Sequence, residues 1–563
     1  MLILGCTLAL CSCGGPSGEG EQIDTSKTQL YVSNFDGGYG DVWLQDLKAE
    51  FEQANAEKSF ESGKTGVQVV IDNDKTTGDN LLQRVAGSQN NVYFCESVFY
   101  YDYLNAGVMA DITDLLNEDL SDLGDTGTIL DKFSEQQKDY YRANDGKYYG
   151  IPHYEGFFGL TYDISLWEEK DLYIAADPTK SSSKVDALYD EGEIVTAEAG
   201  DTKSKGPDGV SGTSDDGFPA TYAELNSLMS VMVNRGIIPF TWTGKYQSEY
   251  NAKLMAALQV DFEGAEQTKN LFNYSGTLTH MVDSINDGVV TYKAPETIDN
   301  STGYRTFESA GKYYALKFME QIVINNDFFH QDSFKNTDTH LDAQSRFLAS
   351  NPIDKTPIAI FPEGNYWENE AADSGFFDYT ATAGLEWNRQ NRKLAMMPFP
   401  KATEEQVGEK TTLLSTLNSL CFINSNCDPV HLDLAKKFLK MANTNSSLAN
   451  FNMKTNAPKA IKYTLSSAQY DSLNPYGKSV YDLYNRSDVV QEISKNSIYV
   501  NNIKDLSLYT TFISKIDGSS FNNVVKEMTP RYTSAAKTSV ELFNGIKENF
   551  NSNYWQEKYH NWF

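Results

Sequence analysis

The residues best equipped for chemistry in this chain are acids and aromatics placed at the ends of strand-like runs. TPIAIFPEGNYWENEA ends an apolar strand on Glu363, with Gly364 next and Trp367 three residues further, and GIIPFTW ends on Trp242. Glu155 follows the short apolar run GIPHY, Glu96 closes VYFCE, and Asp36 opens the turn DGGYG that carries Tyr39. Carboxylates accept hydrogen bonds from hydroxyl groups, and an aromatic face packs against the C–H face of a saturated ring. Together they are what a polyhydroxylated pyranose requires, so Trp242 and Trp367 are the expected stacking platforms. Glu155 and Glu363 are the expected acceptors, with Asp36, Tyr39 and Glu96 as further contacts. Asp36 precedes two glycines that allow a ligand to approach the backbone.

Covalent chemistry has no comparable signature. HExxH, GxSxG and phosphate-loop patterns are absent, and the six histidines are scattered, His330 and His340 included. Acidic pairs of the kind a glycoside hydrolase uses abound in so acidic a chain, but nothing singles one out. Non-catalytic binding is therefore the expectation, with a secreted glycoside hydrolase or a surface glycan-binding adhesin as alternatives. No cofactor is required. A structural Ca2+ is conceivable at GPDGVSGTSDDG, where Asp208, Asp215 and Asp216 offer hard oxygen ligands between glycines without the spacing of an EF-hand.

These residues are positioned by alternating strands and helices. TQLYVSNF reads as a strand, and DVWLQDLKAEFEQANAE as a helix with Trp43, Leu44, Leu47, Phe51 and Ala54 on one face. TGVQVVIDN, DNLLQRVAGSQ and NNVYFCES continue as strand, helix and strand. The pattern predicts an open, mostly parallel α/β sheet whose crevice lies beyond the strand C-termini, where Phe35–Tyr39 and Glu96–Tyr100 would sit. KYYGIPHYEGFFGLTYDISLWEEKDLY reads as a crossing between two lobes. Residues 175–220 are polar and rich in Gly, Ser and Asp, an insertion outside the core.

At 563 residues the chain exceeds what one core fills. Its 77 acidic against 47 basic residues, a formal charge of −30, exclude nucleic acid as a partner. The start MLILGCTLALCSC is too short to span a bilayer, and Leu10-Cys11-Ser12-Cys13 resembles a bacterial lipobox followed by a Gly/Ser/Glu tether. This marks Cys13 as the lipidated residue. Cys95, Cys421 and Cys427 make no disulfide framework, although pairing of the last two remains open.

Taken in order, the lipobox-like start, NFDGGYGDVWLQDLKAEFEQ, GIPHYEGFFGLTYDISLWEEK, GIIPFTW, IAIFPEGNYWENEA, MMPFP and AKKFLKMA resemble the extracellular solute-binding proteins of family 1, the carbohydrate-binding components of ABC importers. The resemblance implies an α/β, two-lobe, periplasmic-binding-protein-like (type II) fold with a hinged cleft. It also implies a lipid-anchored monomer on the outer face of a bacterial membrane, with a carbohydrate and ABC permease subunits as partners. In that frame residues 1–12 are a signal peptide and 13–27 a tether. Residues 28–150 with 410–465 form one lobe, and 151–409 with 466–563 the other.

Overall fold

The computed structural model describes residues 22–177, 194–512 and 524–563, so Cys13 and most of the expected tether lie outside the described residues. Two sheets organise the chain. In the first, the order is Val67–Asp74, Thr28–Phe35, Val92–Cys95, Leu420–Ile423 and Ile151–Pro152. The first three strands run parallel, as the strand-helix alternation predicts. Leu420–Ile423 is antiparallel to both of its neighbours, because the chain re-enters this sheet from the opposite lobe. The second sheet has the order Leu394–Met397, Phe158–Asp163, Ile358–Gly364 and Ile238–Phe240, with Phe158–Asp163 antiparallel to both strands beside it. Both sheets are therefore mixed, which differs from the mostly parallel expectation. The antiparallel strands are the ones next to crossings, where chain direction is set by the lobe it comes from.

Each sheet has its own apolar core. On the first, the helix Val42–Ala54 buries Trp43, Leu44, Leu47 and Phe51, while Ala54, expected on the same face, is exposed at the helix end. On the second, the long helix Gln247–Asn273 packs against Ala310–Val323, and the C-terminal helices add Phe543, Trp555 and Tyr559 to the same core. A kink at Gly264, whose φ of 73° falls in the region glycine tolerates, lets one helix bend around that core. The run LSTLNSLCFIN divides in two: Thr412–Ser415 pairs with Asp488–Gln491, and only Leu420–Ile423 joins the first sheet. The residues between them form a crossover. It packs so closely on the crossing at Gly156 that a Cβ there would lie 2.0 Å from Leu417 Cδ1.

Residues 178–193 lie outside the described residues. The flanks of the polar stretch are not peripheral as expected: Ile194, Val195, Ala197 and Phe218 are buried in the second lobe's core. Their few apolar residues are diluted by polar neighbours, so composition hides them. Cys95, Cys421 and Cys427 are all free thiols, and among the described residues no helix is long and apolar enough to cross a membrane.

One buried ion pair ties the second sheet to its helices. Asp163 caps Ile164–Glu169 by accepting the Ser165 and Leu166 amides, and its other oxygen takes Arg392 Nε at 3.1 Å, while Arg392 Nη1 donates to Leu348 O at 2.9 Å. Removing one partner strands the other in the interior. Arg392→Ala is expected to lower stability by about 3–5 kcal/mol, read from the urea midpoint, whereas Lys410→Ala, which breaks a pair with Asp488 exposed on both sides, costs at most about 1 kcal/mol.

Candidate ligand-binding cleft

A cavity of about 510 Å³ opens between the lobes, within the range of small-molecule sites. Ser97 and Phe99 line it from the first lobe, Thr416 and Asn418 from the crossover, and Glu249 and Tyr509 from the second lobe. Ser97 (φ 56°) and Asn418 (φ 45°) adopt left-handed conformations, unusual for residues other than glycine. Ser97 N donates to Leu417 O and Val98 N to Asn418 O, which fixes the loop after Val92–Cys95 against the crossover.

Beside the cavity, the seam between the lobes gathers several of the expected residues. Tyr39 is buried with its hydroxyl donating to Asn365 Oδ1 at 3.4 Å, and its ring packs edge-on against Tyr154 with centroids 4.7 Å apart. Asn365 directly follows the second-lobe strand Ile358–Gly364, so Tyr39 joins the lobes. Asp36 is half-buried on the same loop. That loop needs its glycines, because a Cβ on Gly38 would sit 3.1 Å from Tyr366 Cβ. Glu96 accepts the Tyr154 hydroxyl. Burial, reinforced by the negative charge of Glu370, pushes its carboxyl up to about 7 against the opposing Tyr154 hydrogen bond. Glu363 is 1% exposed; its Oε1 accepts the Gly364 amide at 2.9 Å, and burial with Glu370 nearby holds its carboxyl well above the usual range.

The remaining expectations fall elsewhere. Glu155 lies in the crossing between the strands Ile151–Pro152 and Phe158–Asp163, where Oε1 accepts Gln491 Nε2 at 2.7 Å and burial raises the carboxyl to about 7. Its Oε2 has no hydrogen-bond partner among the described residues. Trp242 and Trp367 are not platforms. Trp242 is 1% exposed between Phe329 and Phe334, and Trp367 is 0% exposed against Phe347 and Phe361, with Nε1 donating to Thr161 Oγ1. All of these neighbours belong to the second lobe, so the large indoles complete its packing. In the acidic loop, Asp208 and Asp216 accept backbone amides of their own turn, and Asp215 accepts Asp208 N and faces Arg486. Among the described residues no group of three His, Cys, Asp or Glu side chains is arranged to hold a metal ion.

The aromatic ring that does reach the seam at this junction is the neighbour of Trp367. Tyr366 packs against the cores of both lobes, and its hydroxyl feels Glu363, Tyr250, Glu370 and Glu96. Tyr366 and Glu370 are one helical turn apart and Glu363 stands at the end of the strand just before them, whereas Trp367 points about 100° away from Tyr366. That spacing was readable in the sequence. Tyr250, Lys253 and Glu249 on the helix Gln247–Asn273 carried no such signal, because Glu363, beside which the fold brings them, lies more than a hundred residues away in the chain.

Two measurements follow from this placement. Trp242→Ala and Trp367→Ala should each cost about 3–5 kcal/mol of stability, seen in chemical denaturation, rather than remove ligand contacts selectively. Glu96, Glu155 and Glu492 are each pushed by burial to about 7 from an ordinary value of 4.5. The folded chain thus holds protons that the unfolded chain releases between those values, so these groups make stability fall as pH rises through that window. The slope is about 1.4 kcal/mol per pH unit for each carboxyl. Glu492→Gln should flatten the measured pH profile of the melting temperature between pH 4.5 and 7; an unchanged profile would refute the assignment.

No protein-family model and no curated protein sequence matches the chain. Solved structures share its fold. SBP RafE in complex with raffinose aligns over 94% of this chain and 100% of its own, at 14% identity and a TM-score of 0.53. A chitin oligosaccharide binding protein aligns over 93% and 98%, at 12% identity and 0.52. A protein of xylan utilization by the thermophilic bacterium Caldanaerobius polysaccharolyticus aligns over 93% and 100%, at 14% identity and 0.53. The chain shares the fold of these solved structures, and its cavity and its seam of tyrosines and carboxylates lie between its two lobes.

Proposed function

We propose that this chain is the extracytoplasmic substrate-binding component of an ABC importer, capturing a carbohydrate between its lobes and delivering it to the permease without chemical change. The observation that carries this reading is a cavity lined from both lobes and the crossover, bordered by carboxylates and tyrosine rings. Ligand contacts made from both lobes at once exist only when the lobes are together, so binding free energy drives hinge closure. The fold neighbours support the sugar class, since their names refer to raffinose, chitin oligosaccharide and xylan. The lipobox-like Leu10–Cys13 supports anchoring of a monomer to the outer membrane face through Cys13.

Thermal shift and calorimetry against raffinose, chitin oligosaccharides and xylooligosaccharides test this. A ligand present at about a hundred times its Kd adds roughly 2.7 kcal/mol to the native state and must raise the Tm. Tyr366→Ala should weaken that binding about tenfold, the loss of one well-packed ring face. Recovery of the oligosaccharide at full length keeps the binding reading, whereas shortened products would replace it with hydrolysis.

A further inference from the structure

The two lobes offer the cavity between them different kinds of surface. The first lobe and the crossover give it Ser97, Thr416 and Asn418, with Phe99 as an apolar exception. Every aliphatic residue that lines it among the described residues belongs to the second lobe. Ala252 and Met255 come from the helix Gln247–Asn273, Ile503 from Ser497–Leu506, and Val524 and Val525 from Val524–Glu527. Phe512 adds a ring beside them. Ala252, Met255, Phe512, Val524 and Val525 are also members of that lobe's apolar core, and none is more than 8% exposed. The cavity therefore reaches the core side chains themselves.

A few polar groups stand with this wall. Ser507 lines the cavity at 4% exposure, and its hydroxyl has no hydrogen-bond partner among the described residues. Glu492, 2% exposed, lines it as well, and its Oε1 accepts the Leu508 amide at 2.6 Å. A hydroxyl such as that of Ser507 both donates and accepts, so a ligand oxygen beside it supplies the missing partner. The aliphatic wall can do neither. A sugar hydroxyl pressed against it loses water and gains no hydrogen bond, and a pyranose carries hydroxyls around most of its rim. An apolar substituent loses nothing there, and its removal from water favours binding.

We propose that the cleft takes an amphipathic glycoside, a saccharide joined to an apolar aglycone such as a phenyl group. The sugar hydroxyls meet Ser97, Thr416, Asn418 and Ser507, and the aglycone packs against Met255, Phe512 and Val525. A cavity of about 510 Å³ is of the size that holds a molecule of this kind, apolar for much of its lining and polar at a few points. The polar side belongs to one lobe and the crossover and the aliphatic side to the other lobe. A ligand with both parts therefore makes its full set of contacts only when the lobes are together.

This inference rests on the cleft being a saccharide site, and the test separates the two. Calorimetry on the full chain compares the methyl and phenyl glycosides, in both anomers, of chitobiose, xylobiose and melibiose, so that the members of a pair differ in the aglycone alone. The phenyl member of at least one pair should bind at least about tenfold tighter than its methyl partner. It should also show the more negative heat-capacity change that marks burial of apolar surface. Phenol alone should bind at least about a hundredfold more weakly than that glycoside. Val525→Thr, which sets a hydroxyl in the wall, and Met255→Gln should each narrow the phenyl gain to below about threefold. Should either variant fail to fold, the affinity ratio and heat-capacity difference of the unaltered chain decide. Equal affinity within every pair, or an undiminished gain in a folded variant, overturns this inference and leaves saccharide capture standing. So does binding of free oligosaccharides with no binding of any glycoside. Phenol binding as tightly as the glycosides, or no binding by any saccharide or glycoside, overturns both.

Discussion

A carboxylate taken out of water must find donors or a counter-charge or else hold its proton, and burial raises the carboxyls of Glu96, Glu155 and Glu363 where these two lobes meet. Glu363 is buried at the end of its strand, where it accepts the Gly364 amide, Glu96 at the end of the first sheet accepts the Tyr154 hydroxyl, and the charge of Glu370 raises both carboxyls further.

The architecture makes such a seam possible. Two sheets with separate cores leave polar side chains facing each other without forcing them into either core. The lobes are joined by crossings that pack tightly, with Gly156 against Leu417 and Glu155 bound to Gln491, so relative motion is confined to a hinge. On the far side of the cavity the joints are softer: the exposed pair Lys504–Asp79 is an ion pair that salt and water weaken readily. Tight packing at the floor and a screened contact at the mouth are the mechanical conditions for a trap that opens on one side.

The contrast between Tyr366 and Trp367 shows how finely the tertiary structure assigns roles. Adjacent in sequence at one strand-to-helix junction, they differ by about 100° in direction. One joins the two lobes, and the other completes the core of a single lobe beside Phe347 and Phe361. Size and hydrophobicity rank the indole first as a platform, but those same properties make it the better core residue, and Trp242 follows the same rule between Phe329 and Phe334.

Local patterning determined a great deal by itself. Strand and helix periodicity fixed the parallel start Thr28–Cys95 and the buried face of Val42–Ala54, and marked Tyr39, Glu96 and Glu363 each as lying at a strand end, because side-chain alternation and helix pitch are properties of neighbouring residues. The tertiary structure alone decided what depends on distant partners. It set the antiparallel direction of the strands beside the crossings and the burial of Ile194, Val195 and Phe218 within a polar stretch. It also retired both tryptophans to the core and brought Tyr250 and Lys253 to the seam. Burial and electrostatic balance are sums over the whole fold, and no window of sequence contains them.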